Sequence, residues 1–298
     1  MSPVSVETLN GARLAFQQFG PIGAPTIVLV AGGASSMDWW DDEFCALLAA
    51  GDARSGPRRV VRFDFRDTGQ SETVPPGTAE YTGGDLVDDI AALIEHLHAT
   101  PAHVVGLSMG GALVQRLALA RPELLASVTL MATTAIGGVD GPLPPPTAAL
   151  AASFDDGTPE TDWGDPEAIV AATIDAEHLY SGTIPVDENR VRRITAATLA
   201  RTESPASADT TGRFRTDPSA PPTCAKSPCR RWSCTDPTIR CFRCRTARSW
   251  PSSCRARDSS LCPAWVTSFR HRRPGTRSSA SYCGIPPSPC SAVRRRFR

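Results

Sequence analysis

No stretch of this sequence approaches the roughly 18 consecutive apolar residues that a membrane-spanning helix needs. The opening residues, Met1–Val4, lack both the basic start and the apolar stretch of a secretory signal peptide. Cysteine is nearly absent from residues 1–209, where Cys45 stands alone. These absences argue against a membrane protein and against a disulfide framework in that part of the chain. We therefore expect a cytoplasmic protein.

Residues 210–298 have little of what a folded core requires. They contain one Leu, two Val, two Ile and four Phe, well below the roughly 20% that these types reach in folded domains. They carry 19 basic and 3 acidic side chains, against 12 basic and 28 acidic in residues 1–209, so the zero net charge of the 298-residue chain conceals two opposite parts. We expect residues 210–298 to form a disordered tail rather than a domain.

The first 136 residues alternate strand and helix patterns. A hairpin is predicted around the turn at Asn10–Gly11, and residues 26–30 have the continuous apolar character of a strand buried on both faces. Residues 84–97 carry Leu and Ile at helical spacing. This alternation predicts an α/β fold with a mostly parallel sheet covered by helices on both faces, and it places the chemistry at the carboxyl ends of the strands.

The stretch 104–111 contains the pattern G-x-S-x-G between an apolar strand and a helical pattern. That is the context of a nucleophile elbow, in which a sharp turn flanked by glycines exposes a serine hydroxyl above the sheet. Ser108 is therefore the candidate nucleophile. The alternative is a glycine-rich loop whose serine is inert.

Loops after two earlier strands also have a distinctive composition. Residues 31–34, Ala-Gly-Gly-Ala, follow the strand 26–30 and leave a backbone that a ligand can approach closely. In the polar turn that follows the strand 59–64, we expect Asp64, Arg66 and Asp67 to order the loop through hydrogen bonds to the backbone rather than to act in catalysis.

After residue 136 the composition changes again. A Gly/Pro-rich exit, 137–146, leads to helical patterns at 166–179 and 187–199, the second of which begins with Asp187 as its N-cap. Helices inserted after a sheet in this way commonly cover an active site. We expect residues 137–209 to form a helical cap, with the core confined to residues 1–136.

These segments together resemble α/β-hydrolases. The resemblance rests on Val30–Gly33, on Arg62–Ser71, on Val105–Gly111 and, in the cap, on Tyr180–Thr183 with Pro185. More narrowly, the sequence resembles the polyketide methylesterases of the aclacinomycin methylesterase type and related esterases with a helical cap. The resemblance covers residues 3–209 and stops there, so the C-terminal strands of that fold are expected to be missing or disordered in this chain.

The resemblance implies that Ser108 is the nucleophile and that the backbone N–H groups of Met109 and Gly33 form the oxyanion hole. A tetrahedral acyl intermediate needs two fixed donors of this kind. It further implies an acyl-enzyme at Ser108, a small apolar ester as substrate, and neither a cofactor nor a metal. The alternative for Gly32–Gly33 is a plain turn.

A serine nucleophile needs a histidine base that is oriented by a carboxylate, and in this fold the order along the chain is Ser, acid, His. The five histidines are His96, His98, His103, His178 and His271. The first two end a helix, the third lies at the wrong end of the elbow strand, and the fourth lies in the cap. Only His271 follows in the right order, but it stands between arginines with no apolar strand before it, so it is a poor candidate base.

Two hypotheses account for residues 210–298. One is a genuine basic module, but Cys241–Cys244 is the only C-x-x-C, with neither a second pair nor a histidine at zinc-ligand spacing. The other is the same gene read out of frame from near Asp209–Thr210. With G/C-rich codons and one constant shift, residues 225–245 can encode a buried strand and the acid loop of this family, and residues 261–270 can encode its histidine loop. We favour the frameshift.

The sequence thus predicts a serine-dependent carboxylic ester hydrolase, methylesterase-like, whose activity is impaired by loss of the triad Asp and His. Lactonase and cofactor-free haloperoxidase-like activities stay open, because a fold does not fix a substrate. The alternative is a non-enzymatic protein whose basic tail binds nucleic acid or other polyanions in a salt-dependent way. We expect no specific nucleic acid partner.

Overall fold

The computed structural model describes residues 1–136, 143–153 and 161–209. All of these residues belong to a single unit of the chain. The predicted tail, 210–298, and with it His271 and Cys241–Cys244, lies outside the described residues, as does most of the Gly/Pro-rich exit.

The described residues form one six-stranded sheet. Its strands are Ser5–Leu9 (β1), Ala12–Phe19 (β2), Thr26–Val30 (β3), Arg59–Phe63 (β4), Ala102–Leu107 (β5) and Leu125–Met131 (β6). They lie in the order β1-β2-β4-β3-β5-β6. The first three strands in this order pair antiparallel, and β4, β3, β5 and β6 run parallel. The predicted N-terminal hairpin and mostly parallel sheet are therefore confirmed.

The middle of the sheet is buried on both faces, as its continuous apolar runs predict. All five residues of β4 are buried, and four of the five in β3. The outer strand of the described sheet, β6, differs: apart from Leu125, its residues are half-buried or exposed. The carboxyl ends of β3 and β5 therefore lie inside the sheet, where a loop from each can meet.

The described residues include six α-helices. They are Asp42–Ala50 (α1), Gly83–His96 (α2), Met109–Ala120 (α3), Ala148–Ala152 (α4), Pro166–Tyr180 (α5) and Glu188–Leu199 (α6). Helix α2 begins at a capping box, in which Thr82 and Asp85 bond each other's backbone N–H groups, and it buries the stripe that its sequence predicts. Helix α6 directly follows Asp187, the predicted N-cap, whose carboxylate accepts the N–H of Arg190 at 3.0 Å.

The main apolar core consists of residues from the sheet and from α1, α2 and α3. A second, much smaller cluster joins α5 and α6 through Val170, Ile174 and Val191. None of the helices in the described segments is long and apolar enough to cross a membrane.

Candidate active site

Ser108 lies in a sharp turn between β5, which ends at Leu107, and α3, which begins at Met109. Its backbone has φ 51° and ψ −116°, a conformation that is strained for a residue with a side chain, and the residue is exposed. Its N–H donates to the carbonyl of Met131 in β6 at 2.9 Å. The predicted strand–turn–helix context of the G-x-S-x-G pattern is confirmed.

Glycines make this turn possible because the chain passes too close to itself for side chains. A Cβ on Gly106 would lie 2.6 Å from the carbonyl oxygen of Gly110. A Cβ on Gly110 would collide with the carbonyl oxygen of Ala31, and one on Gly111 would lie 2.6 Å from Cγ2 of Thr133. The elbow is thus packed directly against the loops after β3 and β6.

The loop 31–34 lies beside the serine. A Cβ placed on Gly32 would be 3.8 Å from the Cβ of Ser108. The loop is folded back on itself, with the carbonyl of Gly32 accepting the N–H of Ser35 at 3.4 Å and that of Gly33 accepting its hydroxyl at 3.2 Å. The structure therefore brings together the segment that carries Gly33 and the turn that carries Ser108 and Met109.

Backbone strain is concentrated at this edge of the sheet. Ala34 (φ 55°), Ser108 (φ 51°) and Ala132 (φ 45°) follow the carboxyl ends of β3, β5 and β6, which are neighbours in the sheet. Non-glycine residues with positive φ are uncommon and collect at functional sites. These strained residues therefore lie at the carboxyl ends of neighbouring parallel strands, which is where α/β sheets bind their ligands.

Asp64 fixes the loop that follows β4. Its carboxylate is fully buried and accepts the N–H of Met37 at 2.7 Å and that of Gln70 at 3.0 Å. Gly69 lies against it so closely that any Cβ there would collide with the carboxylate. These bonds to the backbone are the predicted structural role of Asp64.

Arg66 and Asp67 also order this loop. Asp67, which is buried, accepts the N–H of Val74 and the hydroxyl of Tyr81, both at 2.8 Å. Arg66 donates to the buried carboxylate of Asp89 through Nε at 2.8 Å and Nη2 at 2.7 Å, and this hydrogen bonding raises the pKa of the guanidinium. Arg66 therefore bonds a side chain of α2 as well as backbone, a long-range partner that the loop sequence does not reveal.

The described histidines lie where the sequence analysis expects histidines that take no part in catalysis. His96 and His98 are exposed at the end of α2. His103 lies near the start of β5, within 2.7 Å of the hydroxyl of Ser127, and five residues of strand, about 16 Å, separate it from Ser108. His178 of α5 contacts Glu188 of α6 at 3.1 Å, with both side chains about half exposed.

The sequence analysis missed Arg201. This residue follows α6, and its guanidinium donates to Asp64 at 2.8 Å and to Asp38 at 3.1 Å. Burial opposes a charge here, but the two carboxylates outweigh it and raise the pKa of Arg201. Arg201 therefore stays charged and joins the segment after α6 to the loops that follow β3 and β4.

A metal-based site finds no support in the described segments. Across residues 1–136, 143–153 and 161–209, no three His, Cys, Asp or Glu side chains meet as metal ligands. What the geometry offers is a serine hydroxyl at a strained turn, with the backbone of a neighbouring glycine loop beside it.

Comparison with known proteins agrees with the fold described above. Residues 25–165 match the family model described as the alpha/beta hydrolase fold. Rhodomycin D methylesterase DauP of Streptomyces sp. (strain C5) is 39% identical over 111 residues, which cover 37% of this chain and 35% of DauP. BpoC of Mycobacterium tuberculosis (strain CDC 1551 / Oshkosh), provisionally named a non-heme bromoperoxidase, is 38% identical over 121 residues, which cover 41% of this chain and 42% of BpoC. The chain thus spans well under half the length of these curated relatives.

Among solved structures, that of E-2-(acetamidomethylene)succinate hydrolase is similar with a TM-score of 0.50 and 23% identity. The similarity covers 71% of this chain and 72% of that one, and it concerns the fold alone. The family match over residues 25–165, together with this similarity, gives the described part of the chain the α/β-hydrolase fold, and its sequence is similar to that of a methylesterase.

Proposed function

We propose that the chain derives from a carboxylic ester hydrolase of the methylesterase kind, acting through an acyl-enzyme at Ser108. The observation that carries this proposal is the elbow: an exposed serine at φ 51° between β5 and α3, with the loop 31–34 against it. A strained turn of this kind presents a hydroxyl to a ligand above the sheet. The likeness to a rhodomycin D methylesterase supports an ester as the substrate class.

In the proposed reaction, Oγ of Ser108 attacks the carbonyl carbon of the ester while its proton passes to a base. The carbonyl oxygen becomes an oxyanion, and the N–H groups of Gly33 and Met109 stabilise it. Collapse of this intermediate releases the alcohol, which takes up the proton, and leaves the acyl group on Ser108. Water then attacks the acyl carbon and gives up a proton to the base; the bond to Oγ breaks, the carboxylic acid leaves, and Oγ takes the proton back. No step in this scheme requires a cofactor.

Neither His103 nor His178 is placed to act as the base in this scheme. His103 lies at the opposite end of β5 from Ser108, and His178 faces Glu188 in the cap. We propose that residues 210–298 are an out-of-frame translation, so that the acid once encoded across Thr238 and Ile239 and the histidine once encoded across Val266 and Thr267 are absent from this chain. His271 then has no catalytic role, and ester turnover is slow.

Sequencing the gene around codons 209 and 210 tests the frameshift. An intact relative of the gene should differ there by an insertion or deletion. An uninterrupted frame in several independent isolates, with the peptide of residues 210–298 found in the expressed protein, would contradict it.

A fluorophosphonate probe tests the nucleophile. We expect slow labelling at Ser108, identified by peptide mapping, and none in Ser108→Ala; a frame-restored protein should label faster and hydrolyse methyl esters. Labelling of another serine, or equal labelling of Ser108→Ala, would overturn the proposal. If neither protein labels and the chain binds RNA tightly in a salt-sensitive way, a polyanion-binding role replaces it.

The likeness to BpoC favours a cofactor-free haloperoxidase as the second candidate. A serine elbow of the same geometry would serve this activity, and also that of a lactonase, because fold and elbow do not fix the substrate. Assaying the frame-restored protein on methyl esters, lactones and halide oxidation in parallel separates the three. Ester turnover at least tenfold above the others supports the methylesterase proposal.

A further inference from the structure

Helix α6 of the cap lies along a short core segment, residues 36–41. At the helix's carboxyl end, the hydroxyls of Thr198 and Ser36 are 2.7 Å apart. At its amino end, Arg190 donates to Asp41 and to the carbonyl of Trp39, both at 3.0 Å. The cap is therefore attached at both ends of α6 to the segment that directly follows the loop 31–34.

Arg201 makes the most buried of these attachments. Its side chain is 17% exposed, that of Asp38 is 14% exposed, and that of Asp64 is fully buried. Its three guanidinium nitrogens all have carboxylate partners, with Nε bonded to Asp38 and Nη1 to Asp64. Ion pairs with this degree of burial and hydrogen bonding hold their geometry much better than exposed ones.

The carboxylate of Asp64 connects this cluster to the proposed oxyanion hole. One of its oxygens accepts the N–H of Met37 at 2.7 Å, and the other accepts Arg201 at 2.8 Å. Met37 is four residues from Gly33 along the chain. The position of the backbone near Gly33 therefore depends on a carboxylate that Arg201 holds from the cap.

We propose that Arg201 is a positioning residue for the candidate active site. From the end of α6 it fixes Asp38 and Asp64, and through them it holds the loop 31–34 where the N–H of Gly33 can stabilise the oxyanion. This inference rests on the proposed function of Ser108. A misplacement of about 1 Å in a catalytic group can slow a reaction by about 100-fold.

The test compares Arg201→Lys, which keeps the charge and loses the forked geometry, with Arg201→Gln. Asp38→Asn is a milder change, because it leaves the pair between Arg201 and Asp64 in place. The matched control is Arg192→Gln, in the preceding helix α6, whose pair with Glu167 spans 3.6 Å between side chains that are 51% and 84% exposed. All four are made in the full chain and compared well below their unfolding temperatures.

The first measurement is the phosphonylation of Ser108 at increasing probe concentration. We expect the maximal rate to fall about 10- to 100-fold in Arg201→Gln, less in Arg201→Lys and Asp38→Asn, and not in Arg192→Gln. The half-saturating probe concentration should change by less than about threefold, because probe binding is not what Arg201 supports. Equal maximal rates in the parent, Arg201→Lys and Asp38→Asn would overturn the proposal, as would losses that only follow the unfolded fraction.

The second measurement is amide hydrogen exchange, which needs no reaction at Ser108. Exchange should become faster in residues 31–40 of Arg201→Lys and Asp38→Asn and stay unchanged in α2. If the parent protein does not label, the function assigned to Ser108 fails, and the exchange of residues 31–40 still decides whether Arg201 positions this loop. Unchanged exchange in both variants would contradict the positioning role.

Discussion

Within the described residues, the sheet and helices α1 to α3 share one cluster of 30 buried apolar residues, whereas helices α5 and α6 share a cluster of three. Hydrogen bonds and ion pairs join α6 and the residues after it to the core: Arg190 with Asp41, Thr198 with Ser36, and Arg201 with two carboxylates. Apolar burial is non-directional, while charged hydrogen bonds demand a particular geometry.

The two kinds of contact have different effects: apolar packing determines the stability of the fold, and the polar contacts determine where α6 lies. A change in the apolar cluster alters the free energy of unfolding of the whole unit, because a close-packed interior cannot readily fill a gap. We expect a change in the polar contacts of α6 to shift this helix and the segment 36–41 that it contacts, while the sheet stays folded. Helices α5 and α6 can therefore influence the proposed site without contributing much to the stability of the main apolar cluster.

We expect the largest change in the free energy of unfolding when a buried side chain of the main apolar cluster is shortened. Leu117 of α3 is fully buried, and Leu117→Ala should lower the free energy of unfolding by about 2–5 kcal/mol. Val191→Ala in α6 removes fewer atoms from a far smaller cluster. Urea denaturation should give a clear shift for the first variant only, while hydrogen exchange in Val191→Ala should rise in α5 and α6. A global loss for Val191→Ala as large as that for Leu117→Ala would remove the distinction between the regions.

The second prediction concerns space rather than burial. In Gly110→Ala the new Cβ meets the backbone carbonyls of residues 30 and 31, which cannot move aside as side chains do. The expected loss of stability is about 1–3 kcal/mol, accompanied by a disturbed elbow. Gly32→Ala is the matched variant: its Cβ makes ordinary contacts, at 3.6 Å to Ser35 and 3.8 Å to Ser108.

Gly32→Ala should therefore unfold like the parent and yet label more slowly at Ser108, because the added methyl lies beside the serine. Thermal unfolding and phosphonate labelling of the two variants measure the two effects separately. Equal stability of Gly110→Ala and the parent would show that the elbow is less tightly packed than its glycines indicate.

A smaller effect is expected at the amino end of α6. Arg190 is 36% exposed, pairs with Asp41 and lies over the ring of Trp39, 5.6 Å from its centroid. Pairs with this exposure contribute about 0.2–1 kcal/mol. Arg190→Gln should leave the unfolding transition of the core within that range and raise hydrogen exchange in residues 188–191. A loss above about 2 kcal/mol would mean that the cap supports the core after all.

The features that the sequence predicted well are those whose signal is contiguous. The bounds of β3 follow from the β-branched Thr26 and the four apolar residues after it, and the elbow follows from eight residues that contain strand, turn and helix start together. The N-cap of α6 is readable from Asp187 because capping is local. The roles of Gly33 and Met109 in an oxyanion hole stay predictions.

Arg201 could not be predicted, because its partners are 137 and 163 residues away along the chain. In the sequence, Asp38 and Arg201 have the ordinary pattern of surface charges, and Asp64 is predicted only to order its own loop. Only the folded chain brings α6 onto the segment after β3 and buries the cluster. The same limit applies to the bond between Arg66, in the loop after β4, and Asp89 of helix α2, which are 23 residues apart along the chain.

A pH-dependent effect is expected at the start of helix α2, in the core. Helix α2 has a capping box, and hydrogen bonds from Thr82, first from its backbone N–H, lower the pKa of Asp85. Because the folded-state pKa lies below the unfolded value of about 3.9, the stabilisation is present at neutral pH and is lost as the pH falls through the folded pKa. Asp85→Asn should cost about 0.5–2 kcal/mol at pH 7 and less near pH 3. The control is Asp88→Asn, an exposed position in the same helix. Urea denaturation at pH 7, 5 and 3 measures the difference between variants, and a gap that does not narrow with acid would show that the capping box does not stabilise α2 through its charge.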